Sequence, residues 1–235
     1  MSIYVIADLH LSFAQNKPMD IFGNNWQNHE EKIKKNWLEK VKPEDTVVLP
    51  GDFSWATYIE DAKLDFKFLN ELPGKKILLK GNHDYWWTTL KSMREFLKEN
   101  NFENIDFLYN NSYLVEDKIL VGSRGWILQD NEEAKKMINR ENERLKLSIK
   151  DAIKNYGEEK EIIAFMHYPP LSSKNLLNNE HLEFYKTMKE NNIKRCYYGH
   201  LHGNSHYDAV EGDVGGIEFY LISGDYLNFN LKKIN

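Results

Sequence analysis

Residues 77–84 read Ile77-Leu78-Leu79-Lys80-Gly81-Asn82-His83-Asp84. The apolar run Ile77 to Lys80 predicts a buried strand, and the spacing after it predicts a helix from Thr88 to Asn100. The Gly-Asn-His-Asp loop therefore stands at the carboxyl end of a strand, where open α/β sheets bind their ligands. Asn offers a neutral oxygen, His a nitrogen or a proton, and Asp an anion. A polar turn using Gly and Asn for positive φ has the same composition. Four more clusters of the same kind, each just after an apolar run, tip the reading toward a ligand site.

Toward the N-terminus, Ile3 to Ala7 runs into Asp8-Leu9-His10, and Thr46 to Leu49 runs into Pro50-Gly51-Asp52. Residues two apart in an extended chain share a side, so Asp8 and His10 are expected to converge. Toward the C-terminus, Glu161 to Met166 ends at His167-Tyr168-Pro169-Pro170, whose prolines give the strand a rigid exit. Ile193 to Tyr198 ends at Gly199-His200-Leu201-His202-Gly203, with its two histidines also expected to face one way. Five of the chain's 8 histidines fall in these clusters. Nitrogen and oxygen donors without thiolate suit zinc, iron or manganese. The donors are too many for one tetrahedral zinc, so two divalent transition-metal ions are the natural count.

The remaining pattern predicts helices over about 28–41, 58–72, 132–156 and 176–191, and short strands at 105–109, 113–115 and 118–122. A strand-rich tail follows, at 205–210, 216–223 and 225–231. Alternating strands and helices define an α/β chain, and with no repeat or linker it reads as one domain, 1–235. Loop 11–27 carries Phe13, Phe22 and Trp26, which either pin the loop to the core or wall a pocket. Trp26, His29, Tyr85, Arg124 and Trp126 are substrate-binding candidates because they lie on or beside strand-end loops. His29 is expected to be solvated, with a position facing the Asp8 loop as the alternative. Arg124 is suited to neutralising a phosphate or to a surface ion pair.

The chain has 235 residues, 41% hydrophobic and 29% charged, with net charge −5 and a single cysteine. That composition excludes a disulfide framework and favours a cytoplasmic protein. It shows no global basic footprint for nucleic acid and no apolar run long enough to span a bilayer.

The motifs Asp8-Leu9-His10, Gly51-Asp52, Gly81-Asn82-His83-Asp84, His167 and Gly199-His200-Leu201-His202 resemble, in order, the five motifs of the calcineurin-like metallophosphoesterases. The resemblance runs over almost the whole chain. It implies a four-layer α/β/β/α sandwich: two mixed sheets flanked by helices, with the metal pair at the strand ends. It implies that Asp8, His10, Asp52 and His202 hold one metal. Asp52 would bridge to a second held by Asn82, His167 and His200. His83 is then left as the proton donor to the alkoxide expelled when hydroxide attacks phosphorus. Many relatives read Gly-Asp-x-x-Asp, the second Asp orienting the catalytic His; here Trp55 stands in that place, leaving open what orients His83. The chain looks most like small bacterial phosphohydrolases. A small phosphorylated substrate, mono- or diester, is the implied partner. A metal-dependent nuclease of the same fold and a non-catalytic binding module are the alternatives.

Overall fold

The computed structural model describes residues 1–15, 17–178 and 181–234. Five strands, β1 (Ile3–Val5), β2 (Thr46–Pro50), β3 (Lys75–Leu79), β4 (Ile105–Phe107) and β11 (Lys232–Ile234), form one sheet in the order β11-β1-β2-β3-β4. Six more form the second: β5 (Tyr113–Val115), β6 (Lys118–Ser123), β7 (Glu161–Met166), β8 (Arg195–Tyr198), β9 (Gly212–Val214) and β10 (Ile217–Leu221), in the order β5-β6-β7-β8-β10-β9. All pairings are parallel except those of the edge strands β11, β5 and β9, which are antiparallel.

Alternation along the strands builds three apolar layers. Ile3, Val5, Val48, Ile77 and Leu79 of the first sheet face Leu120, Ile163, Phe165 and Tyr197 of the second. The opposite face of the first sheet, including Tyr4, Val47, Leu49 and Leu78, packs on helices α1 (His29–Lys40), α2 (Lys63–Glu71) and α3 (Leu90–Glu99) through Trp37, Phe66 and Met93. The outer face of the second, including Ile119, Val121, Ala164 and Cys196, packs on α4 (Glu132–Tyr156) and α6 (Glu183–Glu190) through Ile138, Leu145, Phe184 and Met188. A short helix α5 (Ser173–Asn178) precedes α6. This is the α/β/β/α sandwich that the resemblance implied. Central strands covered on both faces explain why their sequences read as unbroken apolar runs.

Four elements differ from the sequence reading. The helix expected at 58–72 starts only at Lys63. The helix expected at 176–191 is divided into α5 and α6, and residues 179 and 180 of that stretch lie outside the described residues. Residues 203–208 form a 3-10 turn rather than a strand. Residues 225–231 form turns, with Asn228 and Phe229 at positive φ, and the last strand begins at Lys232. The chain has to cross there from β10 in one sheet to β11 in the other, which an extended strand could not do.

Lys76, in β3, is completely buried, and its amine donates to the Leu72 carbonyl. Burial pulls this amine down to about 7 from an ordinary 10.5. Between those values the unfolded chain holds a proton that the folded chain lacks, so stability rises with pH across that window. Below it the full cost of burying the charge is present. Lys76→Met, which keeps the volume, should raise stability at pH 7 by about 2 kcal/mol, the advantage shrinking toward pH 10. Urea unfolding at the two pH values checks this, and an advantage independent of pH would refute it.

Candidate metal centre

Three parallel strands from each sheet bring their carboxyl ends together. β1, β2 and β3 lead into Asp8/His10, Asp52 and Asn82/His83, and β7, β8 and β10 lead into His167, His200/His202 and Asp225. The loops are laced to one another by backbone hydrogen bonds. Asp8 N–H donates to Gly51 O at 3.0 Å, His10 N–H to Asp52 O at 3.0 Å, and Gly199 N–H to His167 O at 3.1 Å. Two of the motif glycines are dictated by space. A Cβ on Gly81 would run into the Asp52 carboxylate, and one on Gly199 into that of Asp8.

Asp8, His10, Asp52 and His200 all have positive φ (59°, 47°, 51° and 74°). That conformation is uncommon for non-glycine residues, although Asp and His adopt it more readily than most. It also corrects two expectations. Asp8 and His10 reach one point through left-handed turns, not along an extended segment. His200 and His202 do not face one way: His200 Nδ1 lies 2.9 Å from Asn82 Oδ1, whereas His202 Nε2 lies 3.4 Å from His10 Nε2.

The donors form two neighbouring groups. In the first, His202 Nε2 stands 3.7 Å from Asp8 Oδ1 and His10 Nε2 stands 3.7 Å from Asp52 Oδ2. In the second, Asn82 Oδ1 lies 2.7 Å from His167 Nε2, which is 3.5 Å from Asp52 Oδ1. Asp52 belongs to both groups. Ligands about 2.1 Å from a tetrahedral cation stand about 3.4 Å from one another, close to several of these spacings. Two imidazole nitrogens facing each other at 3.4 Å need a proton or a cation between them.

The electrostatics agree. Burial pushes the Asp8 carboxyl up to about 8 and raises that of Asp52, while His202 opposes the rise at Asp8 and His83 at Asp52. Burial brings His167 and His200 down to about 3, and holds His10 well below its usual range with help from the imidazoles around it. Neutral imidazoles are the ligand form, and a cation would return the carboxylates to anions. His202 is the exception. Burial works against its charge, yet its hydrogen bond to Asp225, followed by the charge of Asp8, raises it to about 9.

Asp225 is a residue the sequence reading missed. Its buried carboxylate accepts from His202 Nδ1 at 2.8 Å and from Gly203 N–H at 3.0 Å, with His206 Nε2 at 3.2 Å. It fixes the His202 ring with Nε2 toward the first group, the role carboxylates play behind metal-ligating histidines. The signal was present: Gly224-Asp225 follows an apolar run just as Gly51-Asp52 does. Asp225→Asn should weaken divalent-metal binding by about 10- to 100-fold, read by calorimetric titration with manganese. An unchanged affinity would refute the role.

Asp84 turns away from His83. It is fully buried and accepts from the backbone N–H groups of Gly81, Asp52 and Phe53 at 2.7, 2.9 and 2.9 Å, and from the Trp86 indole at 3.0 Å. Burial, followed by the nearby Asp52, raises its carboxyl to about 7. Its task is to knot the Gly51 and Gly81 loops together.

His83 is held by other means. Its N–H donates to Asp52 Oδ1 at 2.8 Å, and the Trp55 ring packs on its imidazole at 4.4 Å between centroids. Trp55 also stacks on His10, 4.9 Å away with the planes 25° apart. Burial lowers the His83 imidazole, Asp52 opposes the change, and His202 and Lys17 reinforce it.

The candidate substrate residues are scattered. Trp26 is buried and its ring lies edge-on to His10 at 5.6 Å. His29 is buried behind Trp26, 3.1 Å from Glu30, so the expectation of a solvated histidine was wrong. Tyr85 is exposed, its ring 6.1 Å from that of His83. Arg124 lies 3.8 Å from the buried Glu141, which also meets Arg140 at 3.2 Å and Arg144 at 3.5 Å. Its guanidinium lies over Trp126, which in turn is 5.9 Å from Tyr168.

A sandwich carrying oxygen and nitrogen donors, without thiolate, at the shared strand ends of two sheets defines a candidate metallohydrolase. The chain belongs to the calcineurin-like phosphoesterase family, whose model matches residues 1–204. No curated protein matches it. Among solved structures it is similar to a protein of unknown function from Aquifex aeolicus, with 19% identity, TM-score 0.52, and 99% of this chain and 95% of that one covered. It is also similar to the phosphopantetheinyl hydrolase of Mycobacterium tuberculosis, with 14% identity, TM-score 0.53, and 99% and 95% covered. A third is a Thermus thermophilus protein, with 14% identity, TM-score 0.55, and 99% and 97% covered. At these identities the likeness is one of fold.

Proposed function

We propose that this chain is a cytoplasmic, dinuclear metal-dependent phosphohydrolase acting on a small phosphoester. Asp8, His10, Asp52 and His202 would hold one ion, and Asp52, Asn82, His167 and His200 the other. Manganese, iron and zinc all suit this donor set. The observation that carries the reading is Asp52, buried and shared between two groups of donors. When bound, the metals supply positive charge to the phosphoryl oxygens and acidify water at neutral pH. Asp225 fixes His202, Asp84 fixes the loop that carries Asp52, and Trp55 keeps the His83 ring in place. His83 lines the cavity beside the first group of donors and is placed to give a proton to the departing oxygen.

Arg124 shares the single Glu141 carboxylate with Arg140 and Arg144, so this cluster keeps a net positive charge. Net charge −5 disfavours a nucleic-acid substrate. The test is turnover of bis-p-nitrophenyl phosphate or p-nitrophenyl phosphate by the chelator-stripped protein reconstituted with manganese, iron or zinc. Hydrolysis that appears with metal and vanishes with chelator is the expected result. No turnover with any of the three would favour a binding module instead.

A further inference from the structure

Two separate apolar cavities open onto the donor groups, one at each. The first, about 220 Å³, is bounded by His10, His83 and His202 together with Trp26, Trp55 and Phe22. The second, about 210 Å³, is bounded by His200 and Tyr168 together with Trp126, Leu128, Leu171 and Leu201. They share no residue. The loop after β8 divides them: His200 and Leu201 face one, while His202 and Gly203 face the other. The second cavity meets its donor group at His200, on which Tyr168 packs with ring centroids 4.2 Å apart, whereas the first is lined by both His10 and His202.

We infer that the substrate is a small phosphodiester with an apolar or aromatic group on each arm, an inference that rests on the phosphohydrolase reading above. A phosphoryl group at the donors has its substituents pointing outward. The arm toward His83 is the one that leaves, since His83 is the group positioned to protonate it. That arm lies between Trp26 and Trp55. The retained arm lies against Trp126, Tyr168 and Leu171. A monoester would fill one cavity and leave the other to water.

The step balances simply. The P–O bond to the leaving arm breaks, a P–O bond to water oxygen forms, and the proton passes through His83 to the departing oxygen. The products are a monoester and an alcohol.

The experiment compares three esters with one leaving group: bis-p-nitrophenyl phosphate, methyl p-nitrophenyl phosphate and p-nitrophenyl phosphate, using the manganese-loaded protein. kcat/KM should be highest for the bis-aryl diester, exceeding the methyl diester by about tenfold or more through burial of the second ring. Trp126→Ala should cut that ratio by about tenfold. Ile127→Ser, at the exposed rim of the same cavity, should cut it less while sparing the fold. A higher kcat/KM for the monoester would overturn the diester assignment and leave the phosphohydrolase reading standing. A bis-aryl to methyl ratio unmoved in both variants would also overturn it. No hydrolysis of any ester would overturn the underlying reading and this inference with it.

Discussion

Asp52→Asn should reduce metal-dependent hydrolysis by roughly a thousandfold or more and leave the protein folded. The carboxylate lies 3.7 Å from His10 on one side and 3.5 Å from His167 on the other, and its Oδ1 also accepts the N–H of His83. Asn removes one negative charge from both donor groups at once and offers a donor where an acceptor is needed. The backbone should tolerate it. Asp52 sits at φ 51°, and Asn is among the few residues that visit this region readily. Removing a carboxylate whose charge burial disfavours should leave the metal-free protein at least as stable as wild type. The expected pattern is therefore lost metal, lost turnover and an unchanged or raised melting temperature. A protein retaining two equivalents of manganese and wild-type kcat would remove Asp52 from the centre of the site.

The parts of this site that were legible in the sequence share a physical cause. Strands buried on both faces leave no polar positions, so the first polar residues after each run stand out. Gly81-Asn82-His83 and Gly51-Asp52 could be read in this way because strand, turn and donor are contiguous. The sandwich layers needed the family resemblance, since an apolar run carries no record of which sheet it joins. What escaped depends on contacts between distant segments. Asp225 lies 23 residues beyond the His202 it orients. Trp55 acts on His83 through ring packing, which no spacing rule encodes. The left-handed turns at Asp8 and His10 defeated the two-residue alternation argument because strand geometry ends before the ligands begin. His29 looked like a solvated first-turn residue, yet the aromatic loop 17–27 folds over it. The ion pair weighed for Arg124 has Glu141 as its partner, on a helix whose alternating charges read as a solvated face.

His83→Gln separates proton donation from metal binding. No donor group requires the His83 side chain: Asp52, shared by both groups, receives only its backbone N–H, at 2.8 Å, and Gln preserves that bond. Metal content should therefore stay at the wild-type level while kcat falls by about 10²- to 10⁴-fold. The fall should depend on the leaving group. A p-nitrophenolate departs without needing a proton, whereas an alkoxide does not, so an alkyl ester should lose far more rate than a p-nitrophenyl ester. A structural role for His83, as a partner for the Trp55 ring, would depress both substrates equally. Burial, reinforced by His202 and then Lys17, holds the imidazole below its usual range in the free protein, and an anionic ester beside it would favour the protonated form. The same comparison in Trp55→Phe should give a smaller loss, because Phe retains a ring to pack against His83. Equal losses for alkyl and aryl esters in His83→Gln, or loss of metal along with rate, would show that the imidazole is not the acid.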